Sequence, residues 1–383
     1  MSQLRVLVIS AKFGCGHVKA AEAVIEALKD KKPNAEIIHV DFGAFLNKTL
    51  NSMIRITYID MLKYTPKLWG RFYYKTSEIS PGSIFQRFLN GLGRRELLNY
   101  INTLQPDLII CTYPTIAGVL AQLREKQELI IPLVTIVTDY AIHSQWVHFG
   151  IDLYIVGSQD VAEGLVNRGI DPDRIKITGI PVSPKFEGEL NRSELINKLG
   201  FNPNQPTILV MGGAYGVLDN AARICQRINE YKTPIQLIMV CGRDKRLYRS
   251  LQPMAQKLKN KVLLLGFVQN VEELMTVSDL VITKAGGLTV TEALTKKIPM
   301  VIYKPIPGQE EENANFLKRV GAGRIAGTEE ELDQILSALI VNQEERKKMS
   351  QAASSAIPGH AAEKAVNFML ELISDWDRIQ KVS

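Results

Sequence analysis

No hydrophobic run in this chain is long enough to cross a membrane. Hydrophobic residues make up 46% of its 383 positions, yet none of the apolar stretches approaches the roughly 18 residues that span a bilayer. The amino-terminal MSQLRVLVIS runs into a strand pattern without a signal-peptide profile, so a cytoplasmic location is expected. Cysteine is sparse: Cys15, Cys111, Cys225 and Cys241 stand apart with no C-x-x-C pair. That spacing argues against a zinc site or a disulfide framework and predicts reduced thiols. There is no G-x-x-x-x-G-K-[ST], hence no P-loop, and neither a repeat nor a low-complexity tract.

Acidic residues are scarce in one region. Between Ala44 and Arg95 the chain carries Lys48, Arg55, Lys63, Lys67, Arg71, Lys75, Arg87, Arg94 and Arg95 against only Asp60 and Glu78, within a formal net charge of +6. Aromatics are interleaved with these cations: Phe45, Tyr58, Tyr64, Trp69, Phe72, Tyr73, Tyr74, Phe85 and Phe88. Such a mixture suits anionic lipid headgroups, and nucleic acid is a second candidate. The opposing reading makes the aromatics core residues of buried helices and the lysines a solvated face.

Elsewhere strand and helix patterns alternate, which predicts parallel sheets. LRVLVIS, the helix from His17 to Leu28, AEIIHVDF, a helix over Arg95 to Thr103, DLIICT, a helix over Thr115 to Lys126, PLVTIVTD and LYIVGS form one series. After the proline-punctuated Ile180 to Phe186 comes a second: TILVMGG, a helix from Asp219 to Tyr231, PIQLIMVCG, a helix ending at Lys259, KVLLLGF, a helix from Val271 to Ser278, DLVITK and PMVIY. Two Rossmann-like halves, 1–183 and 187–357, are the simplest account. A last helix, Ala361 to Ile379 within 359–383, can cross back to the first half.

Polar chemistry concentrates at the loops of this pattern, where α/β proteins bind ligands. Leu280 to Ile282 meets Gly286-Gly287, and the helix that follows would offer its first amides to a diphosphate. Thr289 and Glu292 are three residues apart and share a helix face; the carboxylate could accept the hydroxyls of a ribose. Gln309 and Glu310 open a further helix after Tyr303 and supply acceptors suited to a sugar. Gly16 and His17 follow the first strand in a near miss to G-x-G-x-x-G, with Lys19 at the third glycine position. A histidine at a helix start is expected to have its pKa lowered by the positive helix end, leaving it available as a base. In Thr138 to His148, Asp139 could orient His17 or bind an acceptor hydroxyl, and the polar groups and the indole of Trp146 could line a cleft. His143 and His148 read as structural, and Asp171-Pro172-Asp173 as loop chemistry rather than a metal-diphosphate motif.

Taken in order, GCGH (14–17), TDYAIHSQWVH (138–148), ITGIPVSPKF (177–186), MGGAYGVL (211–218), VCGRDKRL (240–247), LGFVQNVEELM (265–275), ITKAGGLTVTEAL (282–294) and YKPIPGQEEENANF (303–316) resemble the processive diacylglycerol glucosyltransferases and the plant monogalactosyldiacylglycerol synthases. The carboxyl half is more distantly similar to the UDP-GlcNAc transferase of peptidoglycan synthesis. This resemblance implies a GT-B fold, two Rossmann-like domains facing across a cleft, and inverting transfer of a hexose from a UDP-sugar with no metal and no cofactor. It implies His17 as base, Glu292 on the uridine ribose, and Gly286, Gly287, Leu288 and Thr289 at the diphosphate. Gln309 and Glu310 would face the donor sugar, and Gly266, Phe267 and Val268 would hold the uracil through their backbone. Gly212 and Gly213 would form a second phosphate-binding turn, and Gly16 joins the donor set. Lys63, Lys67, Trp69, Arg71 and Lys75 would meet membrane and lipid acceptor, and nucleic acid is not an expected partner. Ala285 stands where the bacterial enzymes usually carry proline, and Tyr215 sits in a turn that often holds a smaller residue.

The resulting expectation is a peripheral enzyme on the cytoplasmic face of the cell membrane that moves glucose from a UDP-sugar to diacylglycerol and can add to the monohexosyl product. A UDP-sugar epimerase on the same scaffold and a non-catalytic UDP-sugar sensor are the rivals.

Overall fold

The computed structural model describes residues 3–12, 15–47, 52–53, 56–57, 60–62, 64–79, 83, 86–87, 90–212 and 221–382. Lys63, Gly213 and Tyr215 lie outside the described residues. The chain divides into two compact units, Met1–Pro184 with Ile306–Gln309 and Pro358–Ser383, and Lys185–Pro305 with Glu310–Ile357.

In the first unit, six parallel strands line up as β2-β1-β3-β4-β5-β6. They are β1 (Arg5–Ser10), β2 (Glu36–Asp41), β3 (Leu108–Cys111), β4 (Leu133–Ile136), β5 (Leu153–Val156) and β6 (Ile175–Ile177). The apolar runs of the four inner strands β1, β3, β4 and β5 are buried on both faces, as parallel sheets require. Side chains alternate along a strand, so Leu7 and Ile9 enter one core while Val6 and Val8 enter the other. The first core is closed by the helices Arg94–Leu104, Pro114–Glu125 and Gln159–Val166 through Leu97, Ile101, Ile116 and Val161. The second is closed by Cys15–Lys31 and by the last helix, Ala361–Val382, through Val24, Leu28, Ala365, Val366 and Met369. The carboxyl-terminal helix thus packs in the first unit.

The second unit repeats the plan with β7 (Thr207–Met211), β8 (Gln236–Val240), β9 (Lys261–Leu265), β10 (Leu280–Thr283), β11 (Met300–Tyr303) and β12 (Gly323–Ala326). These six parallel strands are ordered β12-β11-β10-β7-β8-β9, the doubly wound arrangement in which the first and fourth strands of the unit are neighbours. Strand β6 and strand β12, which the sequence reading did not anticipate, are short edge strands. One expected helix stops early: Lys245–Ala255 carries Pro253 in its last turn and ends there rather than at Lys259.

In each unit the chain reverses direction across the sheet once, between β1 and β3 in the first and between β7 and β10 in the second. Ligands of such sheets bind outside the carboxyl ends of the strands at that point, which directs attention to the loops after β1, β3, β4, β7, β10 and β11.

Candidate functional site

His17 sits in the first turn of the helix Cys15–Lys31, immediately after β1. Its Nδ1 lies 2.7 Å from the carbonyl oxygen of Thr112, at the end of β3, and 3.0 Å from Thr138 Oγ1, at the end of β4. Thr112 Oγ1 returns a bond of 2.9 Å to the His17 carbonyl. A carbonyl oxygen can only accept, so Nδ1 carries the proton and the neutral ring keeps its lone pair on Nε2. The rings of Tyr113 and Trp146 approach with centroids 5.0 and 6.4 Å away. Burial lowers the pKa of His17 from 6.5 to about 4, with the Thr112 carbonyl opposing the shift in part. The expected direction is found with a different cause: desolvation, rather than the helix end, dominates. At neutral pH the imidazole is an unprotonated base with a fixed tautomer.

Thr112 and Thr138 hold this ring, and sequence reading named neither as a functional residue. Asp139 is buried, and its Oδ1 accepts from Gln309 Nε2 within the first unit, to which Ile306–Gln309 belongs. Trp146 is 2% exposed and packs with Val147, Ile151 and Tyr154, which corrects the expectation that its indole lines a cleft. Both remaining histidines of the segment are structural. His148 Nε2 lies 2.8 Å from the Gln145 carbonyl, and its backbone is tied to Tyr154 Oη at 2.9 and 2.8 Å.

His143 fastens the helix Pro66–Ser77. Its Nδ1 accepts from the Gln145 amide at 3.2 Å, so the neutral ring donates from Nε2, 3.2 Å from the Tyr73 carbonyl and 3.1 Å from Thr76 Oγ1. Ser144 Oγ donates to the Thr76 carbonyl at 2.7 Å, and the Tyr73 and His143 rings lie 4.8 Å apart. The inner face of this helix therefore answers to the core reading of the basic-aromatic segment. Its outer face does not: Leu68, Phe72 and Tyr74 are exposed beside exposed Lys67, Arg71 and Lys75. Trp69 is half-buried, 5.9 Å from the Phe72 ring and 6.3 Å from that of Tyr73. Among the described residues no helix is long and apolar enough to cross a membrane.

In the second unit, the helix Gly287–Thr295 leaves β10 with Gly286 as its cap, no side-chain cap and no acid in its first turn. The first intrahelical bond runs from the Val290 amide to the Gly286 carbonyl at 2.9 Å, so the preceding amides have no partner within the helix. A Cβ added to Gly286 would meet nothing within 4 Å. This glycine, at φ −68°, is not demanded by backbone strain; it leaves space in front of the helix start. Gly287, Leu288, Val290, Thr291, Ala293 and Leu294 are buried, whereas Thr289 and Glu292 lie together on the half-exposed face. Glu310, Glu311 and Glu312 occupy the first turn of the helix Gln309–Arg319, after β11.

Gly212 follows β7, and Gly266, Phe267 and Val268 follow β9. Phe267 is 56% exposed, with the Arg243 guanidinium 4.9 Å from its ring centroid. Asp171 accepts from the Asp173 amide at 3.0 Å and caps a short 3-10 turn, as loop chemistry predicts. No group of three or more His, Cys, Asp or Glu side chains among the described residues is arranged to hold a metal.

This architecture is that of the GT-B glycosyltransferases. MurG from Acinetobacter baumannii superposes with a TM-score of 0.62 at 17% identity, over 96% of this chain and 99% of that one. HepE from Anabaena, in complex with UDP-glucose, gives 0.55 at 17%, over 96% and 100%. A UDP-N-acetylglucosamine 2-epimerase gives 0.57 at 12%, over 97% of each chain. These likenesses concern the fold alone. The sequence goes further: residues 17–182 match the monogalactosyldiacylglycerol synthase family and residues 207–367 the glycosyltransferase family 28 C-terminal domain. Processive diacylglycerol beta-glucosyltransferase from Staphylococcus epidermidis is 33% identical over 372 residues, 96% of this chain and 93% of that protein. Its counterpart from Bacillus subtilis is 31% identical over 350 residues, 91% and 90%. The chain belongs to this glycosyltransferase family.

Proposed function

We propose that the protein transfers glucose from UDP-glucose to the hydroxyl of diacylglycerol with inversion at the anomeric carbon, and can use its monohexosyl product as a further acceptor. The observation that carries this reading is His17, a neutral imidazole whose Nδ1–H is committed to the Thr112 carbonyl, leaving Nε2 to take the acceptor's proton as its oxygen attacks. In the first unit, Asp139 binds the acceptor side, and the exposed Leu68, Phe72, Lys67, Arg71 and Lys75 rest on an anionic membrane surface, taken to be the cytoplasmic face. The second unit holds the donor. Uncapped amides from Gly286 to Thr289, at the positive end of a helix, stabilise charge gathering on the leaving UDP and take the place of a metal. Glu292 accepts the ribose hydroxyls, Gly266 to Val268 hold the uracil, Gly212 and Gly213 approach the phosphates, and Glu310 meets the sugar.

Incubating the purified chain with UDP-glucose and diacylglycerol in mixed micelles tests this. A monohexosyl lipid, followed by a dihexosyl one, is expected. Conversion of the UDP-sugar to an epimer without a lipid product would establish the epimerase reading instead, and UDP-sugar binding without turnover would establish the sensor.

A further inference from the structure

Two side chains of the second unit tie together the loops after β10 and β11. Lys284, one residue beyond β10, donates from Nζ to the carbonyl of Lys304 at 2.6 Å. Asn313, fully buried in the helix Gln309–Arg319, donates from Nδ2 to the carbonyl of Ala285 at 3.0 Å. The bonds run in opposite directions, one from the loop after β10 to the loop after β11 and the other from the helix that follows β11 back to the loop after β10. Lys304 also stands out in its backbone: it is a non-glycine residue at φ 46°, a left-handed conformation that side chains disfavour and that persists where the surroundings enforce it. Its amide donates to the Ala326 carbonyl at 2.8 Å and its Nζ lies 5.0 Å from the Tyr303 ring centroid. Lys304 is therefore pinned at its amide by β12 and at its carbonyl by Lys284.

We infer that Lys284 and Asn313 are positioning residues that fix the spacing between the helix start at Gly286 and the acidic turn at Glu310, and that this spacing selects the hexose. The inference rests on the donor reading above, in which the first loop takes the diphosphate and the second the sugar. UDP alone then depends on one loop, whereas a UDP-hexose depends on both and on the distance between them. Two epimers differ in the direction of a single hydroxyl, so a shift of about 1 Å in one loop against the other removes the discrimination. The competing role for Lys284 is a direct cation for the diphosphate, and this makes the opposite forecast for UDP.

The experiment uses the full chain and its Lys284→Met, Lys284→Arg and Asn313→Ala variants, with folding checked by circular dichroism and thermal melting. Calorimetry gives the affinity for UDP, and transfer to diacylglycerol in mixed micelles gives kcat/KM for UDP-glucose and UDP-galactose. In Lys284→Met, UDP affinity is expected to stay within about twofold, while kcat/KM for the preferred hexose falls on the order of tenfold or more and its ratio to the other hexose moves toward one. Lys284→Arg, which can still donate to a carbonyl, should recover part of that ratio. Asn313→Ala, if folded, should behave as Lys284→Met does. Loss of UDP affinity by about tenfold in Lys284→Met would make the lysine a diphosphate ligand and overturn the proposal. An unchanged hexose ratio in Lys284→Met would overturn it as well. Failure of the donor reading is separately visible: the parent chain would not bind UDP, or Glu292→Ala would bind it as well as the parent.

Discussion

The desolvated, half-buried imidazole of His17 makes a quantitative demand on the pH dependence of transfer. His17 must be neutral to accept a proton, and burial lowers its pKa from 6.5 to about 4. At pH 5.5 a histidine titrating at 6.5 is only about one-tenth neutral, whereas one titrating near 4 is about 97% neutral. Between pH 7.5 and 5.5 the parent chain should therefore lose less than about twofold in kcat/KM, with the acid limb of the profile falling near pH 4. His17→Ala should lose on the order of 100-fold or more in transfer while binding UDP as the parent does, because a general base acts in the transition state. The assay is kcat/KM for UDP-glucose in zwitterionic mixed micelles at constant ionic strength, with circular dichroism at each pH to exclude unfolding. An acid limb near 6.5, or a His17→Ala variant within tenfold of the parent, would refute the assignment of this ring as the base.

Stability should fall in acid for the same reason. Burial holds His17, His143 and His148 near a pKa of about 4, so the unfolded state binds more protons once pH drops below about 6.5. Thermal melts should show full stability above that value and progressive loss toward pH 4; a flat profile would place these rings in water. Glu292→Ala should weaken UDP binding by roughly 1.5–3 kcal/mol, the worth of hydrogen bonds to a charged acceptor, and unchanged calorimetry would remove Glu292 from the ribose. Neutralising Lys63, Lys67, Arg71 and Lys75 together should release the chain from anionic vesicles, at about 1 kcal/mol per cation and with strong salt dependence. Salt-insensitive binding would point to apolar insertion instead.

Much of the fold was legible because the apolar runs of β1, β3 and β10 are short, bounded by turn residues and buried on both faces. The shared face of Thr289 and Glu292 follows from helical spacing alone. What surrounds His17 was not legible. Its partners Thr112 and Thr138 are 95 and 121 residues away in sequence, and one of the bonds uses a main-chain carbonyl, which no side-chain pattern advertises. The available clue was positional: both threonines lie just beyond the carboxyl ends of β3 and β4, which neighbour one another in the sheet. Trp146 misled for a related reason, since an aromatic residue at a strand end can turn inward as readily as outward. Lys284 and Asn313 were overlooked because each serves a backbone carbonyl across two loops.

The central claim is a direct displacement in which His17 activates the acceptor hydroxyl. Its most direct test is the anomeric configuration of the monohexosyl lipid made from α-linked UDP-glucose, read by nuclear magnetic resonance of the purified product. A β-linked glucolipid from the parent chain, absent from equal incubations with His17→Ala, is the expected result. An α-linked product, or β-linked product formed undiminished without His17, would contradict the account.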